Sequence, residues 1–460
     1  MNTGFIDHER IFDYLKNVSP PDLAEVRAIL DHARELKGIS TEEAERLLMV
    51  NDNEQLDEIM ATANYIKEEI YGRRLVLFAP LYVSNLCNNE CLYCAFRRSN
   101  SFITRRTLTQ DEIRKDVEAL VNEGHKRVLL VSGEGLGEDA LEYSLKAIDT
   151  IYSVKKGNGE IQRININIAP LSVESFRRLH EARIGTYQLF QETYHYDSYK
   201  KMHPKGMKSN YLNHLTAMDR AMEGGIDDVG VGILFGLYDH RFEIMALLQH
   251  IRHLEEKFGV GPHTISVPRL EPATGSDVAS HPPFNVSDWD FKKIIAILRI
   301  TVPYTGMILS TRETAETRRE TIALGISQIS AGSKTNPGGY SDGDSAEQFS
   351  LGDHRSLDEV ISDIVGHGYI PSFCTGCYRM GRTGNDFMDL AKPGLIKHYC
   401  LPNALTTFKE YLVHYGKPKT RVAGEALIKK MLDDIPSESV KAKAREFLDR
   451  VEKGEKDLYL

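Results

Sequence analysis

The rhythm of hydrophobic and polar positions changes near Arg74. Before it, apolar residues recur at helical spacing: Leu23, Val26, Ile29 and Leu30 follow Pro20-Pro21-Asp22. Ala44, Leu47 and Leu48 follow Ser40-Thr41-Glu42-Glu43, which has the form of a capping box. Residues 1–73 are therefore predicted to be a helical extension. From Arg74 onward, short β-rich runs alternate with amphipathic segments. The runs are Leu75–Val83, Val128–Ser132, Ile164–Ala169, Thr186–Thr193, Val229–Phe235, Thr264–Val267, Met307–Thr311 and Ile326–Ala331. Helical patterns lie between them at Asp111–Asn122, Ser172–Ala182, Asn210–Met222, Glu243–Lys257 and Ser287–Ile300. Eight strand–helix units in about 260 residues predict an α/β fold of the (β/α)8 TIM-barrel type over 74–340, with an open parallel sheet as the alternative. A turn-rich loop, residues 333–344, leads into a C-terminal helical region, 341–460, with helices near Ala404–Tyr415, Gly424–Leu432 and Ser437–Glu452.

Composition narrows the function classes. A formal charge of −9, with basic residues interspersed among acids, argues against a nucleic-acid face. No run approaches the roughly 18 apolar residues of a membrane span. The first ten residues lack the apolar core of a secretory signal, so the expected address is the cytoplasm.

Cysteine changes the picture most. All six cysteines fall in two tight sets, Cys87, Cys91, Cys94 and Cys374, Cys377, Cys400. A disulfide framework does not suit a large chain expected to stay in a reducing compartment, so the sets are read as metal sites. The first, C-x3-C-x2-C, directly follows the first predicted strand. It therefore sits at that strand's C-terminal end, where barrels place their chemistry. Three thiolates can hold three corners of an iron–sulfur cubane and leave the fourth iron open; zinc would want a fourth protein ligand, for which Asn88 and Asn89 are poor candidates. For the second set, C-x2-C-x22-C, spacing alone leaves both a cubane and a zinc site with His398 as fourth ligand open.

The motif Cys87-x3-Cys91-x-Tyr93-Cys94 resembles that of radical S-adenosylmethionine (SAM) enzymes. The resemblance implies a [4Fe–4S] cluster whose open iron is chelated by the methionine end of SAM, and a 5′-deoxyadenosyl radical that abstracts hydrogen from substrate. Ser132, Gly133 and Glu134 look like the segment that holds the methionine amino group, with Ser132 where many members carry glycine. Gln191 and Glu192, after the fourth strand, and Gly232 and Gly236, assigned to the fifth, resemble the positions that contact ribose and adenine.

The two-set pattern, with the segments 269–273, 310–313 and 330–340, further resembles the radical SAM tyrosine lyases of the [FeFe]-hydrogenase maturation type (the HydG family), related to the thiazole-pathway 2-iminoacetate synthase. That resemblance implies cleavage of the Cα–Cβ bond of L-tyrosine to p-cresol and dehydroglycine. The fragment then yields CO and cyanide on an auxiliary [4Fe–4S] cluster carrying an extra iron and a bound cysteine, for assembly of the hydrogenase H-cluster. It also implies an external electron donor and partner maturation proteins, with no nucleic acid and no membrane. His263, just before the sixth strand, is the histidine nominated to help hold the extra iron at the opposite barrel face, with an ordinary capping or surface role as the alternative. Arg312 and Ser310, read as alternating on strand seven and facing one side, are nominated to anchor the substrate carboxylate; an internal pair of Arg312 with Glu313 or another barrel carboxylate is the alternative. Two other functions stay open: 2-iminoacetate synthase, and a zinc-stabilised barrel scaffold without redox chemistry.

Overall fold

All eight predicted runs become parallel strands of one closed barrel. The computed structural model describes residues 2–342, 346–392 and 395–460; Gly343 and Asp344, the end of the turn-rich loop, lie outside the described residues. The strands are β1 (Arg74–Ser84), β2 (Arg127–Ser132), β3 (Arg163–Asn167), β4 (Thr186–Gln188), β5 (Asp228–Gly232), β6 (Thr264–Ser266), β7 (Gly306–Leu309) and β8 (Gln328–Ser330). Each pairs in parallel with the next, and the ring closes where Val76–Phe78 of β1 meet Gln328–Ser330 of β8. The open-sheet alternative is thereby excluded.

The two faces of these strands differ in chemistry. Outward positions carry Val128, Leu130, Ile164, Ile166, Val229, Val231, Ile265, Met307, Leu309 and Ile329, all buried against the surrounding helices apart from the strand ends. Inward positions carry Arg127, Arg163, Asn165, Gln188, Asp228, Gly230, Thr264, Ser266, Gly306, Gln328 and Ser330, as strand alternation requires. A barrel core usually fills with branched aliphatic side chains. Here the bore is mixed: Phe78, Leu129, Val131 and Ile308 also point into it, but polar side chains take a large share. Gly230 and Gly306 are part of its packing: a Cβ at Gly230 would lie 2.6 Å from Thr264 Oγ1, and one at Gly306 would lie 2.8 Å from Gln328 Nε2.

The N-terminal extension forms four helices, α1 (His8–Asn17), α2 (Leu23–Ala33), α3 (Thr41–Leu48) and α4 (Asn53–Tyr71). The capping box at Ser40 and Glu43 is present and starts α3. Ile59, Ala63, Ile66 and Ile70 of α4 are buried, and α4 packs on the barrel helix Asp288–Thr301.

Several predicted boundaries shift. Apart from β1 and β2, the barrel strands are three to five residues long, shorter than the runs that predicted them. The chain remains hydrogen-bonded past β4, where Leu189 and Gln191 donate to Gly230 and Gly232. The C-terminal region adds an unpredicted strand, β9 (Ile370–Ser372), which pairs in parallel with Arg74–Val76 of β1. That pairing brings the second cysteine set to the N-terminal end of the barrel. The helix expected at Ala404–Tyr415 starts earlier, running Ile396–His414 with Cys400 in its second turn.

Candidate functional site: two cysteine sets at opposite ends of one barrel

At the C-terminal end of the strands, the loop from Asn85 to Asn100 carries the first set. Its shape is fixed largely by one side chain. Arg105 donates to the carbonyl oxygens of Asn85 (2.9 Å), Phe96 (2.7 Å), Arg97 (2.5 Å) and Asn100 (3.1 Å), satisfying acceptors that the turning chain leaves unpaired. Asn89 is clamped on both sides. Its Nδ2 donates to Glu134 Oε2 (2.6 Å), and its Oδ1 accepts from the Lys208 backbone N–H (3.0 Å). Gly133 and Gly135 are glycines because the loop presses on them: a Cβ at either would lie 2.5 Å from the Leu86 carbonyl oxygen. The close approach these glycines allow is thus to the cysteine loop itself.

Tyr93 is buried, and its hydroxyl meets His203 Nε2 at 2.8 Å. Burial pushes the Cys87 thiol up to about 11 and raises Cys91 well above its ordinary range. Glu192 sits at φ +67°, an uncommon conformation for a residue with a side chain, and its carboxylate pairs with Lys208 Nζ at 2.7 Å. Burial works against the Lys208 charge, but Glu192, Cys91 and Glu134 together hold its pKa well above the ordinary value. Behind Glu192, the buried Glu243 accepts from the Thr193 hydroxyl and from the Tyr194 backbone N–H (2.7 Å). Burial pushes Glu243 up to about 8.

A cavity of about 160 Å³ opens from this loop into the bore, lined by Tyr82, Tyr93, Cys94, Glu192, Ser310 and Arg312 among others. Ser310 and Arg312 are not strand residues. β7 ends at Leu309, and both lie in the turn beyond it, with Thr311 also lining the cavity. The turn is pinned by Thr311 N–H donating to Ser330 Oγ (3.1 Å), so turn geometry rather than strand alternation brings them together. Glu313, the rival partner for Arg312, is engaged by Arg269, whose Nε donates at 2.8 Å. Arg312 has no ion pair among the described residues; its guanidinium stacks on Phe349 at 3.3 Å. Gln191 Oε1 accepts from His214 Nδ1 (3.1 Å), and the buried Gln191 Nε2 has no partner among the described residues. Gly232 closes β5, while Gly236 lies past the strand end against Leu270, at φ +117°.

At the other end, Cys374, Cys377, Cys400 and His263 line a smaller cavity of about 50 Å³. His398 is exposed and absent from that lining, so the zinc ligand that spacing allowed is not supplied from there. His263 is buried, not a surface cap. Its Nε2 meets the Tyr378 hydroxyl at 2.9 Å, and its Nδ1 lies 3.5 Å from Asp228. Burial lowers its pKa and pushes the Cys377 thiol up to about 12. Two arginines line this cavity, Arg74 of β1 and Arg127 of β2, and a third, Arg163 of β3, lies behind Tyr378; each opens its strand. Arg127 donates to the Cys374 carbonyl (3.1 Å) and Arg163 stacks on Tyr378. The Nε atoms of Arg74 and Arg127 are buried and unpartnered.

The whole molecule has close likenesses. Residues 81–251 match the Radical SAM superfamily, and residues 266–370 match the Biotin and Thiamin Synthesis associated domain. The crystal structure of HydG, a maturase of the [FeFe]-hydrogenase, superposes with a TM-score of 0.96 at 52% identity, covering 99% of this chain and 100% of that one. The chain belongs to the HydG family of radical SAM enzymes. HydG from Carboxydothermus hydrogenoformans superposes with a TM-score of 0.85 at 40% identity over 96% of this chain and 97% of that one. The 2-iminoacetate synthase of Salmonella typhimurium is 31% identical over 75% of this chain and 89% of its own length.

Radical SAM membership implies a [4Fe–4S] cluster and SAM. The residues at the first set fit them: three thiols on one stapled loop, a cation–carboxylate pair at Lys208 and Glu192, and a cavity lined by Cys94 and Glu192. The HydG-type site also contains residues that pattern reading missed. Arg105, Gln348 and Phe349 lie in loops without periodicity, and Lys208 lies in a single 3-10 turn, Met207–Ser209. The three lower arginines did carry a signal, since each stands at the first position of an apolar run.

Proposed function

We propose that this chain cleaves the Cα–Cβ bond of L-tyrosine to p-cresol and dehydroglycine and converts the fragment to CO and cyanide for [FeFe]-hydrogenase maturation. The observation that carries the reading is Arg312. A guanidinium in the cavity shared with Cys94 and Tyr93, lacking an ion pair among the described residues, is suited to a bidentate carboxylate. Cys87, Cys91 and Cys94 would hold the cluster, and Glu134, Gln191 and Glu192 would meet SAM. Ser132 would lie at the same edge, and Gly232 and Gly236, packed against Phe190 and Leu270, would shape the adenosine side of the site. When bound, the cluster and SAM supply the 5′-deoxyadenosyl radical; the protein's part is to orient tyrosine and exclude water.

Cys374, Cys377 and Cys400 would hold an auxiliary [4Fe–4S] cluster, and His263 would help hold its extra iron with a bound cysteine. The donor set fits, with three half-buried thiols lining a cavity that also presents Arg74 and Arg127 to an anionic cluster. The polar side chains of the bore support passage of a small hydrogen-bonding fragment between the two ends. An external donor would supply the electron, and hydrogenase-maturation proteins would receive the product.

The test is anaerobic reconstitution followed by product analysis. About eight iron and eight sulfide per chain, with p-cresol, CO and cyanide from tyrosine, support the reading. Formation of p-cresol without CO or cyanide would move the chain to the 2-iminoacetate synthase activity.

A further inference from the structure

The segment Ala346–Gly352 lies across the upper mouth of the barrel and ties together parts that are remote in sequence. Gln348 N–H donates to the Thr335 carbonyl (3.0 Å), and its own carbonyl accepts from Ala95 (3.4 Å), on the cysteine loop. Ser350 N–H donates to the Pro272 carbonyl (2.8 Å) and Gly352 N–H to the Thr311 carbonyl (2.9 Å). A Cβ at Gly352 would lie 2.3 Å from the Arg312 carbonyl oxygen, so the strap fits tightly against the turn that carries Arg312.

One side chain of this strap reaches the sulfur chemistry. Gln348 Nε2 lies 3.6 Å from Cys94 Sγ, and Gln348 Oε1 lies 2.7 Å from the Tyr82 hydroxyl. Chemistry fixes which end of the amide faces which neighbour. A cluster-bound thiolate only accepts, so the amide nitrogen must face Cys94 and the oxygen takes the Tyr82 proton. Tyr82 is buried, and burial pushes its pKa up, so it stays a donor. The adjacent Phe349 is the ring on which Arg312 stacks.

We infer that Gln348 is a positioning residue that sets the reduction potential of the first cluster through an amide N–H···S hydrogen bond to Cys94. This rests on the proposal that Cys94 holds iron. An N–H aimed at a ligand sulfur withdraws charge from it and favours the reduced cluster over the oxidised one. Only one electron moves: the [4Fe–4S]2+ state takes it from a reductant such as dithionite and becomes [4Fe–4S]+. Because Gln348 and Phe349 are neighbours on one pinned strap, the hydrogen bond and the packing around Arg312 share a single support.

The experiment is a potentiometric titration of the reconstituted holoenzyme with dithionite, followed by electron paramagnetic resonance. The first cluster is recognised by the change in its signal when SAM is added. Gln348→Leu removes the N–H at similar volume, and Gln348→Glu replaces it with an acceptor. At the wild-type midpoint potential, Gln348→Leu is expected to lower the ratio of reduced to oxidised first cluster about tenfold, one hydrogen bond's worth, or about 59 mV for one electron. Gln348→Glu is expected to lower it further, while the second cluster stays unmoved in both. Iron and sulfide analysis separates the two layers of the claim. A full cluster with an unshifted potential in both variants overturns the role of Gln348 alone. No SAM-responsive cluster in the wild type would overturn the cluster assignment beneath it.

Discussion

The two ends of the barrel present the same three-thiol donor set in opposite surroundings. At the upper end the thiols sit on a loop stapled by Arg105, and the nearby cation, Lys208, is already paired with Glu192. At the lower end the thiols come from a loop (Cys374) and two helices (Cys377 and Cys400) and face Arg74 and Arg127, with the Arg163–Asp228 pair close by. The upper site is balanced and opens on a cavity of about 160 Å³; the lower is electropositive and holds about 50 Å³. Identical ligands therefore do not imply identical tasks. The surroundings favour radical generation on a bulky substrate above and retention of small anions below.

The sharpest break in this symmetry is expected from Cys91→Ala. It removes a ligand of the first cluster, and 5′-deoxyadenosine production should fall to the level of an enzyme-free blank by chromatography. Continued production would end the assignment of the upper site.

Cys374→Ala should act on the other half only. Measured on the same samples, p-cresol and 5′-deoxyadenosine are expected to persist, while CO captured by deoxyhaemoglobin falls and hydrogenase maturation fails. Loss of p-cresol together with CO would assign the lower set a folding role instead. His263→Ala is expected to be milder, because the three thiols remain.

Arg312→Ala should weaken tyrosine binding with both clusters assembled. Losing a charged anchor in a dry site costs about 2–5 kcal/mol, so the Kd should rise more than about tenfold by calorimetry. An unchanged Kd would leave Arg312 only its stacking on Phe349.

The smallest effect concerns the support behind Glu192. Glu243 has a folded pKa of about 8 against an ordinary 4.5, so the native state holds its proton more tightly than the unfolded chain. Its contribution is fully present below about pH 4.5 and is lost as pH rises through about 8. Glu243→Gln keeps the shape of the protonated acid. Its oxygen can take the Tyr194 N–H and its amide can donate to Thr193. Denaturant unfolding at pH 9 should show the variant more stable than wild type by roughly 1–3 kcal/mol, with the difference closing toward pH 5. A constant difference across that range would assign the effect to packing.

The upper half of this picture was readable before any coordinates, and for a physical reason. Cys87, Cys91 and Cys94 lie within eight residues, and the preceding apolar run identifies the strand that presents them. Eight strands buried outward against helices must show apolar runs, so the barrel was visible as well. The lower site was less legible because it is assembled by β9, a three-residue strand whose middle residue is Pro371, too short and too atypical to announce itself. Ser310 and Arg312 were chosen for the right cavity by the wrong geometry, since a turn and not alternation points them inward. Gln348 and Phe349 gave no pattern at all; only the pinned strap makes them neighbours of Cys94 and Arg312.

The mixed bore has a consequence for how the fold is held up. With Asn165, Gln188, Thr264 and Gln328 set among Phe78, Leu129, Val131 and Ile308, the barrel draws less on an oily centre than ordinary barrels do, so more of its cohesion comes from the hull outside the strands. The first seventy residues are planks of that hull. The helix α4 lays Ile59, Ala63, Ile66 and Ile70 on the barrel's outer layer, and Arg10 reaches Glu45 at 2.6 Å to bind α1 to α3. Hollowing the middle of the molecule thus shifts part of the duty of staying folded to its edge, and the N-terminal helices belong to the vessel as much as the staves do.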